Sequence, residues 1–163
     1  MAEGLDERIA DYAPGLARIA ASYERNRALR DELLQEIHLA IVTALPRLRD
    51  PSKLRAYVFR IAHNCAVRHI VNRARETSVS VEPDAFPSEA PTQDEALISG
   101  ERSSALLAAV RRLALPYRQV ITLVLEDLSH AEIAEALGIS EANVAVRVNR
   151  AKQQLKDWLK SYG

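Results

Sequence analysis

Amide and cationic side chains near the carboxyl end of the chain are spaced along one face of a predicted helix. If this helix lies in the major groove of DNA, Asn143 can pair bidentately with adenine, and Ala142 and Val146 can touch thymine methyl groups. Arg147 and Arg150 suit phosphates. The alternative for the cations is a solvated face near a helix carboxyl terminus. The candidate DNA-reading residues are Ser140, Ala142, Asn143, Val146, Arg147, Asn149, Arg150 and Lys152.

Two caps and a glycine place that face on the second helix of a helix-turn-helix. Ser129 precedes Glu132 by three residues, which is the spacing of a capping box, and Gly138 supplies the turn. Ser140 caps the following helix, whose predicted buried face is Val144, Val148, Ala151 and Leu155. The pattern predicts a DNA-binding helix-turn-helix. An ordinary helical hairpin is the alternative.

A second candidate surface lies on an earlier helix, where Glu32, Gln35 and Glu36 stand at i, i+3 and i+4. These three form a polar edge on an otherwise apolar helix, and such an edge suits a basic partner helix. A merely solvated face is the alternative.

A third candidate surface centres on Asn64, a residue type that is poor in a helix interior and therefore bonds locally or recognises something. Tyr57 and Phe59 can stack on bases or wedge into a duplex, although a core position for at least one of them is the alternative. A basic stripe suited to a DNA backbone accompanies them: Lys53, Arg55, Arg60, Arg68, Arg73 and Arg75.

Enzyme chemistry is not indicated, because no nucleophile–base pair, metal-ligand spacing or Gly-rich phosphate loop is present. The four histidines are interpreted as surface or packing residues, and the single cysteine, Cys65, excludes an intramolecular disulfide. We therefore expect no cofactor, no metal and no small-molecule substrate. The sequence does not start with a basic segment followed by an apolar one, as a secretory signal would, and it has no apolar run of about 20 residues. We therefore expect a cytoplasmic protein without membrane insertion.

Composition predicts that helices position these residues. Of 163 residues, 48% are hydrophobic and only 5% aromatic, with five glycines, and Ala, Leu, Arg and Glu dominate. The predicted class is all-α. Helical spacing predicts an apolar stripe of Leu34, Ile37, Ile41 and Leu45, a second of Leu54, Val58, Ile61 and Cys65 after a cap at Ser52, and a third of Val120, Leu123 and Val124.

The formal net charge of zero is an average over unlike segments. Residues 1–75 carry a net charge of +4, residues 76–101 carry −7 with no Lys or Arg, and residues 102–163 carry +3. The acidic stretch contains Pro83, Pro87 and Pro91 without helical periodicity, which favours an extended tether over a structured loop. We expect two small helical domains, 1–75 and 96–163, joined by a linker over 76–95.

The chain resembles the extracytoplasmic-function (ECF) subfamily of bacterial RNA polymerase sigma factors from about residue 5 to residue 159. Residues 32–36 (ELLQE) resemble the family's acidic region 2 segment, and residues 54–64 (LRAYVFRIAHN) resemble the segment that melts and reads the −10 element. Residues 115–119 (LPYRQ) resemble the start of region 4, and residues 132–152 resemble its −35-reading helix-turn-helix. The chain departs from the family pattern at Glu32, Val42, Tyr57 and the recognition-helix pairs 142–143 and 145–146.

The resemblance implies a promoter-specificity subunit that binds core RNA polymerase through the β′ clamp helices and the β flap. It assigns Glu32, Leu33, Gln35 and Glu36 to core binding. To the −10 element it assigns Lys53, Arg55, Tyr57, Phe59, Arg60, Asn64 and Arg68, with Asn64 lining a pocket for a flipped base. Promoter DNA and an anti-sigma factor are further implied partners, and the acidic linker would thread a basic channel of the polymerase.

Two other functions remain open from the sequence. One is a freestanding helix-turn-helix regulator that uses residues 1–75 for dimerisation or sensing. The other is a sigma-like interaction module without promoter activity, which the unusual recognition helix allows.

Overall fold

The computed structural model describes residues 2–77 and 104–160, and every regular element within these ranges is helical. The predicted all-α class is therefore confirmed. Only residues 76 and 77 of the predicted linker are described, where they end a helix, so its proposed threading lies outside the described residues. The α-helices are α1 (Ala2–Ala10), α2 (Ala13–Tyr23), α3 (Arg27–Ala44), α4 (Leu54–Thr77), α5 (104–112), α6 (Leu115–Leu125), α7 (His130–Leu137) and α8 (Glu141–Leu159).

Helices α2, α3 and α4 pack together and carry two of the candidate surfaces. Helix α3 begins at the Asn26 cap, whose side chain accepts a hydrogen bond from Leu29 N at 3.0 Å. The fully buried stripe of α3 is Leu33, Ile37 and Ile41. The predicted stripe was one position off at its start, because Leu34 lies half-buried on the flank of that face.

The connection between α3 and α4 consists of two short 3₁₀ turns, Leu45–Arg47 and Pro51–Lys53. The predicted cap at Ser52 is wrong. The Asp50 carboxylate accepts hydrogen bonds from Ser52 N at 3.0 Å and from Ser52 Oγ at 2.7 Å, so Asp50 caps the second 3₁₀ turn, which leads into α4. A short Asp side chain can fold back onto the main-chain N–H two residues on, which leaves the serine as a donor.

Helices α7 and α8 form the predicted helix-turn-helix. Ser129 Oγ accepts from Glu132 N at 3.1 Å while Glu132 Oε1 accepts from Ser129 N at 2.9 Å, so the capping box is complete. Gly138 has φ +69°, a left-handed conformation that side chains disfavour. Val144, Val148, Ala151 and Leu155 are buried as predicted.

Helices α5, α6 and α8 share a small core of their own, which contains Val110, Leu113, Ile121, Ala151 and Leu155. At its edge the guanidinium carbon of Arg112 lies 4.4 Å from the centre of the Trp158 ring. A cation stacked on an aromatic face at this distance is favourable. This pair therefore helps to hold α5 against the end of α8.

A second, larger core joins the two predicted domains. Leu16, Ile37 and Val58 of the first domain belong to the same buried cluster as Leu123 and Ile133 of the second. Helix α4 packs directly against α7. The composition predicted two bodies on a tether. In the structure the two domains are in apolar contact, because each domain buries apolar side chains of the other.

Candidate nucleic-acid and polymerase interfaces

The predicted DNA-reading face of α8 lies on the surface of the second domain. Ser140 caps the helix by accepting a hydrogen bond from the main-chain N of Asn143 at 3.1 Å. This bond does not use the Asn143 side chain, which is exposed. Val146 is 48% exposed, opposite the buried Val144 and Val148. Seven of the eight predicted residues are exposed and Arg147 is half-buried: Ser140, Ala142, Asn143, Val146, Arg147, Asn149, Arg150 and Lys152.

A second face, on α4, presents Tyr57, Arg60, Asn64 and Arg68 at helical spacing. Arg60, Asn64 and Arg68 are exposed, and the half-buried Tyr57 donates a hydrogen bond from its hydroxyl to Ala44 O at 2.8 Å. That hydrogen bond fixes the phenol against the end of α3. The α4 face thus combines an aromatic ring, an amide and two guanidinium groups in one row.

Phe59 does not belong to this face. Its side chain is 3% exposed, and its ring packs edge-on against Tyr12 with ring centres 5.8 Å apart. Since it fills the core, it cannot stack on a base, and its assignment to DNA contact is wrong. The alternative core position considered for one of the two aromatic residues is the correct one for Phe59.

Lys53 and Arg55 contact the second domain. Lys53 Nζ lies 2.9 Å from Glu135 Oε1, and Arg55 Nε lies 3.9 Å from Glu132 Oε2. Arg55 also donates from Nη2 to the main-chain oxygen of Glu126 at 2.7 Å. Two of the predicted DNA-contacting cations are therefore paired with helix α7 and the turn before it.

The acidic edge of α3 is exposed as predicted for Glu32, Gln35 and Glu36, but not for Leu33. Leu33 is fully buried beneath this edge, so it anchors the helix in the core and cannot contact a partner. Sequence reasoning missed Leu39 and Val42, which are 70% and 62% exposed on the same helix. The sequence signal for both was an apolar side chain at a position of α3 outside the predicted buried stripe.

A groove of about 740 Å³ runs between α3 and α4 beside this edge. Glu32, Glu36 and Leu39 line one wall, and Arg68 and Asn72 line the other. Carboxylates on one wall thus face a cation on the other, with an apolar residue at the rim. Such a groove suits a helix that carries both basic and apolar side chains.

A buried charged cluster closes one end of α4. Glu24 is 4% exposed and contacts both His69, at 2.9 Å, and Arg73. Burial by itself would raise the pKa of Glu24, but hydrogen bonds from His69, Asn26 N and Arg73 outweigh it and lower the pKa. Arg73 therefore holds α4 to the end of α2, while Arg75, the last residue of the predicted basic stripe, is exposed.

His63 and Tyr23 are buried where the two domains meet. Tyr23 Oη lies 3.0 Å from His63 Nε2, and the guanidinium carbon of Arg118 lies 5.4 Å from the centre of the Tyr23 ring. Burial lowers the pKa of His63 to about 4 and raises that of Tyr23. Both groups are neutral at pH 7, which makes them packing residues, as predicted for His63.

Within the described ranges, 2–77 and 104–160, no three His, Cys, Asp or Glu side chains lie close enough together to hold a metal ion. None of the helices in those ranges is both long and apolar enough to cross a membrane.

Family models match both halves of the chain in order. The model "Sigma-70 region 2" matches residues 9–76, and the model "Sigma-70, region 4" matches residues 103–155. These ranges contain all three candidate surfaces.

Individual relatives agree with the family models. The chain is 29% identical to the RNA polymerase sigma factor SigZ of Bacillus subtilis, over 82% of this chain and 74% of that protein. It is 31% identical to the ECF RNA polymerase sigma factor SigD of Mycobacterium tuberculosis, over 86% and 68%. It is also 26% identical to the ECF sigma factor SigM of Bacillus subtilis, over 93% of both chains.

Two solved structures share the fold. The sigma factor RpoE of Bartonella quintana, in complex with the anti-sigma factor NepR, matches with a TM-score of 0.78 at 21% identity, over 97% of this chain and 98% of that one. CnrH in complex with the cytosolic domain of CnrY matches with a TM-score of 0.69 at 23% identity, over 100% and 92%. From the two family models and these relatives we conclude that the chain belongs to the sigma-70 family as an ECF RNA polymerase sigma factor, a non-enzymatic protein that directs transcription initiation.

Proposed function

We propose that three separate surfaces divide the work of initiation. The α3 edge binds the β′ clamp helices of core RNA polymerase, the α4 face reads and melts the −10 element, and the α8 face reads the −35 element. The observation that carries this proposal is the exposure of three chemically distinct faces on three helices. Each face lies within a matched family region.

The polymerase-binding surface is assigned to Glu32, Gln35 and Glu36 together with Leu39 and Val42. The carboxylates complement a basic partner helix and set its orientation. The two exposed apolar side chains, Leu39 and Val42, add apolar surface, and its removal from water on binding stabilises the interface. The adjoining groove between α3 and α4 widens this surface.

The −10 surface is assigned to Tyr57, Arg60, Asn64 and Arg68, with Lys53 and Arg55 at its start. Flipping a base out of a stack costs a few kcal/mol, which hydrogen bonds to an exposed amide and stacking on an aromatic ring can offset. The guanidinium groups neutralise phosphates of the melted strand.

The −35 surface is assigned to α8. Asn143 and the apolar Ala142 and Val146 meet base edges, while Arg147, Arg150 and Lys152 hold phosphates. A domain division at 1–75 and 96–163, with residues 76–95 as an acidic tether through a basic channel of the polymerase, completes the assignment.

We further propose an anti-sigma factor as a regulatory partner and the cytoplasm as the site of action. Of the two solved structures that share the fold, RpoE is bound by the anti-sigma factor NepR, and CnrH is bound by the cytosolic domain of CnrY. The exposed apolar residues of α3 offer a surface that such a partner would cover.

Reconstitution with core polymerase tests the proposal. The purified chain is mixed with core enzyme, and run-off transcripts are sequenced from a genomic library. We expect transcripts from a discrete set of promoters that share −10 and −35 elements. Core binding without promoter-dependent transcripts would instead identify an interaction module, and DNA binding that ignores polymerase would identify a freestanding regulator.

A further inference from the structure

Helix α3 carries an apolar surface that the described residues leave uncovered. Leu39 is 70% exposed and Val42 is 62% exposed, and their i, i+3 spacing places them on one face of the helix. They are the two most exposed large hydrophobic side chains in residues 2–77 and 104–160. Adjacent exposed apolar side chains, unlike scattered ones, indicate an interaction surface.

Charged side chains of opposite sign flank this apolar surface. Glu32 and Glu36 precede it along the chain, and Arg47 follows it in the first 3₁₀ turn. All three are exposed, and with Leu39 they line the groove between α3 and α4. Among the described residues, none of the three is paired with a counter-charge. The surface therefore reads, in chain order, carboxylates, apolar side chains, guanidinium.

An antiparallel copy of α3 presents this order in reverse. If Leu39 of each copy packs against Val42 of the other, a two-fold axis passes between positions 40 and 41. Arg47 then lies two residues, or roughly 3 Å along the axis, beyond the point opposite Glu36 of the other copy. An arginine side chain spans this offset, so each copy offers a guanidinium to a carboxylate of the other. One surface thus complements itself, as an isologous contact requires.

The order of the charges also selects the direction of pairing. In a parallel pair, Glu36 would face Glu36 and Arg47 would face Arg47, and like charges brought together in an interface are unfavourable. In the antiparallel pair both contacts join opposite charges. Charge complementarity therefore favours the antiparallel arrangement.

We propose that the chain associates with a second copy of itself through α3, as an antiparallel pair centred on Leu39 and Val42. The same surface is assigned to core polymerase, so the consequence for initiation rests on the proposed function. Because one surface serves both contacts, self-association and polymerase binding exclude each other. The paired chain withholds its α3 edge until polymerase competes for it.

The size of the contact sets its strength. Helix α3 has 18 residues and is therefore roughly 27 Å long. A single pair of helices of this length belongs to the small interfaces, below about 1,200 Å², which are weak and transient. We expect a Kd on the order of tens of micromolar, so that the pair forms in concentrated solution and separates on dilution.

Two charge-reversed variants test the pairing. Glu36→Arg and Arg47→Glu each bring like charges together in a pair of identical chains, so each variant alone should associate at least about tenfold more weakly than the wild type. An equal mixture of the two should associate about as well as the wild type, because both contacts between unlike variants join opposite charges. Sedimentation velocity on the full chain, from roughly 1 to 200 µM, measures association.

A second pair of variants tests the apolar centre. Leu39→Gln with Val42→Gln should abolish association over the same concentrations, because it removes the apolar surface that the contact buries. The matched control is Leu125→Gln with Val146→Gln, which removes two exposed apolar side chains from the second domain and should associate like the wild type. Far-ultraviolet circular dichroism verifies that each variant remains helical. Equal loss in both double variants would show non-specific apolar association and overturn the proposal.

The mixture gives the decisive result. If the two charge-reversed variants remain monomeric when mixed, the antiparallel contact is wrong, and a wild type that stays monomeric at every concentration equally refutes it. Addition of excess core polymerase should convert the wild-type pair to a complex with one chain per polymerase. A complex that retains two chains would contradict the mutual exclusion.

Titration of the labelled chain at nanomolar concentration with core polymerase separates this inference from the proposed function. If the mixture associates but Glu36→Arg binds polymerase like the wild type, the self-pairing stands and the assignment of α3 to polymerase is wrong. If the wild type never associates but Glu36→Arg loses polymerase binding, the assignment stands and the self-pairing is wrong.

Discussion

The Tyr23 hydroxyl and the His63 imidazole meet 3.0 Å apart, with the two rings nearly perpendicular. Tyr23 comes from α2 and His63 from α4, and Arg118 of the second domain lies over the tyrosine ring. Within the described residues, His63 Nδ1 has no hydrogen-bond partner. A neutral imidazole is thus required at the point where both domains pack.

We predict that protonation of His63 destabilises the fold in mild acid. Burial lowers its pKa from 6.5 to about 4, so between these values the unfolded chain binds a proton that the folded chain does not. The stabilisation is complete above pH 6.5 and is lost as the pH falls toward 4. At about 1.36 kcal/mol per pKa unit, the loss is about 3 kcal/mol.

Urea unfolding from pH 7 to pH 4.5 measures this loss. The pKa of Glu24 is lowered in the folded chain, so its contribution to stability is lost only below its ordinary pKa of 4.5 and not within this window. His63→Phe retains the aromatic volume, and we expect it to flatten the pH dependence. A slope that survives in His63→Phe contradicts the assignment.

Glu36→Arg should weaken binding to core polymerase by about tenfold or more, because it places a cation where the proposed interface needs a carboxylate. Asp11→Arg, an exposed position in the turn between α1 and α2, is the control. Titration of labelled sigma factor with core enzyme gives both affinities. Equal behaviour of the two variants would remove the α3 edge from the interface.

Asn64→Ala should impair strand opening far more than binding of duplex DNA, since the amide is assigned to an extruded base. Permanganate reactivity of the −10 thymines measures opening by the holoenzyme, and we expect a drop of about tenfold, consistent with about 1.4 kcal/mol of lost hydrogen bonding. Val71→Ala, two turns further along α4 and outside the groove beside α3, should open the promoter normally. Unchanged reactivity in Asn64→Ala would refute the role.

Asn143→Ala should lower holoenzyme affinity for −35 DNA by roughly 5- to 150-fold, the range for loss of a bidentate base contact of about 1–3 kcal/mol. The Ser140 cap bonds the main chain of Asn143 and survives the change. Gln153→Ala, further along α8, is the matched control. If the two variants lose equal affinity, Asn143 does not read a base.

Gly138→Ala should destabilise the protein by about 1 kcal/mol, because a Cβ is disfavoured at φ +69°. No atom lies within 4 Å of the added methyl group, so the cost is conformational and not a clash. Thermal unfolding monitors the change. Gly4→Ala, which also has open space but lies in helix α1, should not destabilise; a similar loss there would exclude the conformational explanation.

The features that sequence patterns predicted are local. The capping box at Ser129, the left-handed Gly138 and the α8 stripe depend on residues within one or two helical turns of each other, and all three are confirmed. Their physics is contained in short segments.

The features that sequence patterns missed depend on packing between distant segments. Phe59 and Tyr57 are two residues apart and similar in type, and Phe59 is buried because it packs against residues distant in the sequence, including Tyr12 and Gly15. The contact of Arg18 with Glu126 spans 108 residues. No periodicity within one helix carries that information, so the docking of the two domains could not be predicted.

Trp158, on which Arg112 stacks, is the only tryptophan in the chain, so tryptophan fluorescence comes from the second domain alone. Its emission reports on α5 and α8 alone, whereas far-ultraviolet circular dichroism reports on helices of both domains. Trp158 packs against the small core of α5, α6 and α8, and α6 and α8 also contribute to the core that joins the domains, so the two signals should change together on unfolding. The cooperativity of the whole chain can therefore be followed without a label.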